Sequence, residues 1–103
     1  MRVIERNMLS SIARRKNFKS GNTQVTFIDK DNFEVRLYGN KIAVGNVPRK
    51  SVRISHAGWE TNTTKSRLNA LLAGNSINQR NFVWYVDNEK EFNNWDGEFA
   101  LNI

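Results

Sequence analysis

With 103 residues, 39% of them hydrophobic and 25% charged, the chain has room for one domain spanning 1–103 and one modest core. It is too apolar and aromatic for disorder. It has no cysteine, which excludes disulfides and thiol chemistry and fits a reducing compartment, and it lacks the run of about 18 apolar residues that a membrane span needs. Sixteen Lys/Arg against ten Asp/Glu leave a net charge of +6, a balance that favours a polyanionic partner.

The opening Met1-Arg2-Val3-Ile4-Glu5-Arg6 has no apolar stretch, so no secretory signal is expected. Ile4, Met8 and Ile12 recur every four residues, with Val3 and Leu9 beside them, and predict an N-terminal helix. Arg2, Glu5 and Arg6 fall off that stripe. The run Arg14-Arg15-Lys16 suits the negative end of the helix dipole, and Asn17 and Ser20-Gly21-Asn22 break the helix.

Four short period-two patterns follow: Val25/Phe27, Phe33/Val35/Leu37, Ile42/Val44 and Val52/Ile54, each alternating with polar or small residues. Asp29-Lys30-Asp31-Asn32 supplies the first turn. Gly39-Asn40 supplies a tight two-residue hairpin turn, and Gly45 to Pro48 the third connection. Such short links predict an antiparallel meander with one solvated face. Asn62 or Thr63 then caps a second helix, about 63–74, with Leu68, Leu71 and Leu72 as its buried stripe and Gly74 as its stop. Phe82-Val83-Trp84-Tyr85-Val86 reads as a strand apolar on both faces, hence central or closely covered. The remaining Phe92, Trp95, Phe99, Leu101 and Ile103 predict irregular packing with a final short strand, Trp95 and Phe99 anchoring it. The fold expected is α+β: an antiparallel meander sheet of four to six strands, one face covered by the two helices and the other open.

Charge is unevenly placed. Residues 1–86 carry fifteen Lys/Arg against five Asp/Glu, whereas 87–103 carry one Lys against five Asp/Glu. Catalytic chemistry is poorly supplied. His56 is the only histidine, and with no cysteine to join it a Cys/His metal site is not expected. The carboxylates make no metalloprotease or calcium-loop pattern, and Gly58 with Lys65-Ser66 lacks the second glycine of a phosphate loop. A binding protein is expected, with no catalytic residues, no metal and no cofactor.

Three basic constellations could hold a polyanion. A two-residue Gly39-Asn40 turn would set Tyr38 opposite Lys41 and Arg36 opposite Ala43, with Arg53 on the same solvated face. Cations interleaved with an aromatic there could track phosphates while a base stacks, and Trp59 on the following loop could extend the platform. Lys65 and Arg67, among the hydroxyls and free amides at the second helix's start, could anchor a phosphate. Arg14, Arg15, Lys16 and Lys19 could clamp a strand. Neither helix resembles a major-groove reader, so single-stranded DNA or RNA is the partner expected first.

The turn Tyr38-Gly39-Asn40-Lys41-Ile42-Ala43 and the string from Gly58-Trp59 through Thr63-Thr64-Lys65-Ser66-Arg67-Leu68-Asn69-Ala70 resemble a group of small proteins encoded by tailed bacteriophages. Ile4-Glu5-Arg6-Asn7-Met8, Gly21-Asn22-Thr23 and the aromatic strand around Trp84 fit the same group. The resemblance implies a phage origin and action in the host bacterial cytoplasm, and it brings no activity with it. A phage setting makes an inhibitor of a host defence protein, of anti-CRISPR or anti-restriction type, the second expectation. A homodimer formed through the open sheet is the third, and no membrane partner is expected.

Overall fold

A computed structural model describes all 103 residues. The elements in chain order are α1 (Val3–Ala13), β1 (Phe18–Ser20), β2 (Thr23–Phe27), β3 (Asn32–Leu37), β4 (Asn40–Asn46), β5 (Ser51–Ile54), α2 (Asn62–Leu71), β6 (Ile77–Arg80), β7 (Val83–Val86), β8 (Lys90–Glu91) and β9 (Phe99–Ala100). Strands β1 to β5 run as an antiparallel meander, and β9 returns to pair with β5 at the far edge. A second sheet holds β6, β7 and β8. The fold is α+β, as the alternation and helical patterns predict. No helix is long and apolar enough to cross a membrane.

Alternation sorts the meander into two faces. Val25, Phe33, Val35, Leu37, Val52 and Ile54 point inward and meet Met8 and Ile12 of α1 and Leu68 and Leu71 of α2 in one core. Gly45 lies opposite Phe33 on that inner face. A Cβ there would run into the Phe33 ring and the Ser51 carbonyl, so the absent side chain is what lets the ring lie flat on β4.

Helix α1 departs from the stripe expected of it. Glu5, not Ile4, is buried beside Met8 and Ile12, and Val3 is exposed. The Glu5 carboxylate accepts the Arg2 backbone N–H at 3.0 Å and the Arg67 Nη1–H at 2.8 Å. The helix closes at Ala13, and Arg15 takes the left-handed position beyond it, with φ 56°. Helix α2 starts earlier than expected. Thr61 is its cap, with its hydroxyl accepting the Thr64 N–H at 3.1 Å. It also stops earlier, at Leu71. Leu72 is already extended and bridges to Leu101, so Gly74 lies past the helix end.

The segment at 82–86 forms a central strand, as its apolar run predicts, but one residue shorter and in a second, smaller sheet. Strand β7 is the middle of the small sheet, and Phe82 belongs to the turn before it, with φ 67° and 88% exposure. Trp84 supplies the buried side of this unit, edge-on to His56 and Phe92. Asn69 ties it to α2: its side chain accepts the Ile77 N–H at 2.7 Å and donates to the Ile77 carbonyl at 3.1 Å.

Candidate nucleic-acid interface

The β3–β4 hairpin decides which side chains share the open face. Its two turn residues are Tyr38 and Gly39, both at positive φ (51° and 80°), and Leu37 faces Asn40. The turn therefore sits one residue earlier than the Gly39-Asn40 reading. A register shift then lets both Ile42 and Ala43 bury, and Val35 pairs with Ala43. Arg36 consequently lies opposite Lys41, not opposite Ala43, and Tyr38 leaves the sheet face altogether.

Two cross-strand rows result. Lys19, Gln24, Arg36 and Lys41 form one. Thr26, Glu34, Val44 and Arg53 form the next. At about 4.8 Å between strands, the three cations of the first row span about 14 Å. Glu34 stands between Arg36 and Lys41, 3.2 Å from the Nε of one and 3.2 Å from the Nζ of the other. Burial pushes its carboxyl upward, but hydrogen bonds from Lys41 and Arg36, and their charges, bring it below the ordinary value. It stays ionised, orders the two long side chains, and cancels one of the four positive charges on this face.

The aromatic that joins these cations is Trp95. Its ring lines a shallow groove of about 530 Å³ with Lys41 and Arg53 at its sides and Val44, Ser55 and Ala57 beneath. The indole is 37% exposed. Its backbone N–H donates to the Ile54 carbonyl at 2.8 Å, which fastens the tail to the end of β5. Trp95 thus brings to the face the aromatic that sequence patterning assigns to Tyr38 and Trp59, while Phe92 and Leu101 are the buried anchors of the tail.

The other expected contacts disperse. Arg67 is buried, 3% exposed, and points at Glu5, at the Thr23 hydroxyl (2.9 Å) and at Asn22 (3.3 Å), so it is not available to a phosphate. Burying a guanidinium without partners would cost several kcal/mol, and Glu5, Thr23 and Asn22 offset that cost here. Lys65 is held by Gln79 at 3.1 Å and lies 5.8 Å above the Trp84 ring. Arg14, Arg15 and Lys16 are exposed at the end of α1, where Arg15 pairs with Asp31 at 3.7 Å. Only Lys19 of that run reaches the sheet face. His56 packs against Trp84 and Phe92, and its Nδ1 accepts the Gly58 N–H at 3.0 Å. Tyr38 and Trp59 come together elsewhere, lining a pocket of about 410 Å³ floored by Leu37 and Ile42 at the hairpin end.

The acidic tail closes the fold. Strand β9 extends the sheet, Leu101 is buried, and Glu98 pairs with Arg49 at 3.0 Å. A family model described as Kyanoviridae Gp96 protein matches residues 1–101. Among curated proteins and among solved structures, none matches the chain.

Proposed function

The chain belongs to the Kyanoviridae Gp96 protein family, and for this phage protein we propose binding of single-stranded nucleic acid across the open face of the six-stranded sheet, in the cytoplasm of the host. The observation that carries the proposal is the convergence of Lys41, Arg53 and Trp95 on one groove, continued by Arg36 and Lys19 along the adjoining row. Cations spaced along a sheet follow a phosphate backbone, and an indole among them stacks a base whatever its sequence. A duplex hides its base faces, so a single strand gains from Trp95 what a duplex does not.

The test is a titration of labelled single-stranded and duplex oligonucleotides at two salt concentrations. Micromolar or tighter binding of single strands near 50 mM salt is expected, falling steeply with added salt as phosphate contacts release counterions. Lys41→Glu with Arg53→Glu should abolish it. Absence of binding to every oligonucleotide would sink this reading and leave the second, a host protein partner, for which the exposed Phe82 ring at the β6–β7 turn offers the contact.

A further inference from the structure

The pocket between Tyr38 and Trp59 shares no lining residue with the cationic groove. We infer that it takes one unstacked nucleobase of the bound strand; the inference rests on the single-strand reading above. Tyr38 carries the argument. A non-glycine residue at φ 51° is strained by the close approach of its Cβ to the following carbonyl oxygen. A large aromatic ring ordinarily offsets such strain by packing, yet this one is 72% exposed. Trp59 across the same pocket is 59% exposed. Two exposed aromatic rings, one of them carried on a left-handed residue, thus flank one cavity, the pattern of a binding site and not of a core.

The chemistry of the lining selects a flat, apolar-faced ligand with a polar edge. Leu37, Ile42, Tyr38 and Trp59 give the pocket an almost wholly apolar surface, and Asn40, His56, Thr61 and Thr64 complete its lining. Asn40 at its rim makes only a long 3.4 Å bond to the Tyr38 carbonyl, which leaves its carboxamide able to meet a base edge. Charge complementarity identifies the ligand as part of a polyanion. Arg36 and Lys41 stand at this same end of the hairpin on its other face, and Arg36 donates to the Gly39 carbonyl at 3.2 Å. A strand lying along Lys19, Arg36 and Lys41 would pass the hairpin tip with a base free to fold over it into the pocket.

The experiment compares a short oligothymidine with the same strand made abasic, for the wild type, Trp59→Ala and Tyr38→Asn. Asn-Gly is a favoured pair for a turn with two positive φ angles, so Tyr38→Asn should raise the melting temperature, which separates lost binding from lost folding. Each variant is expected to weaken oligothymidine binding at least about five-fold and to leave abasic binding unchanged. If both variants bind oligothymidine like the wild type, the base pocket is overturned while salt-dependent binding keeps the sheet-face reading. If neither strand binds any of the three proteins, both readings fail.

Discussion

Glu5 and Arg67 show how one pair of residues joins three parts of the chain. Arg67 on α2 reaches Glu5 on α1 and Thr23 at the start of β2, and Ser66 donates to the same Glu5 carboxylate. Burial pushes the Glu5 carboxyl upward, yet the hydrogen bonds from Ser66, Arg2 and Arg67 and the Arg67 charge outweigh it, and the net direction is downward. A lowered folded-state value means that the unfolded chain binds more protons through this range. The stabilisation is therefore complete above the ordinary glutamate value of 4.5 and is lost as pH falls through the lower folded value. Acid denaturation curves should show this loss as pH falls from 4.5 toward the lower folded value, and they should be flatter there for Glu5→Gln. Arg67→Met, which strands a buried carboxylate, should cost about 3–5 kcal/mol in chemical denaturation, and Glu5→Leu with Arg67→Met should recover most of it. Neither role was legible in the sequence. A glutamate beside an apolar stripe reads as a solvated flank, and its partner lies 62 residues away. Arg67 next to Lys65 reads as an exposed cation until α1 is placed against it.

At the scale of elements, periodicity located the meander because each of its central strands has one wet and one dry face. What periodicity could not locate was register. Ile42, Ala43 and Val44 are consecutive apolar residues, so a sequence pattern accommodates either turn, and only the bulge that buries both Ile42 and Ala43 fixes Arg36 opposite Lys41. The β6–β7 hairpin shows a related limit: β7 is central, as the run at 82–86 predicts, but Phe82 falls in the turn. An apolar run does not reveal that one of its faces is covered merely by Arg80, 4.5 Å above the Tyr85 ring. The tail divides its labour between Leu101, which is buried against the core, and Trp95, which lies on the open face. Leu101→Ala should therefore cost about 2–5 kcal/mol of unfolding free energy. Trp95→Ala should cost far less in stability and should weaken single-strand binding instead, as separate denaturation and binding titrations would register.

For the whole molecule, net charge alone points to a polyanion but to no particular surface. The fold draws Lys19, Arg36, Lys41 and Arg53 from four strands onto one face and adds Trp95 from a tail that the sequence marks as acidic. Two of the three predicted patches give way to this one: at the start of α2, Arg67 turns inward and Lys65 is engaged by Gln79, and the α1 terminus lies apart. Of the tail's acids, Glu98 pairs with Arg49 and Asp96 with Lys90, neither of them a lining cation of the groove. The most direct measurement is an amide and indole NMR titration with a short single-stranded oligonucleotide. Shifts are expected to concentrate at Lys19, Arg36, Lys41, Val44, Arg53 and the Trp95 indole, with the outer side of α1 unmoved. Shifts confined to α1 and to Arg14 through Lys16, with the Trp95 indole unchanged, would contradict the sheet-face reading.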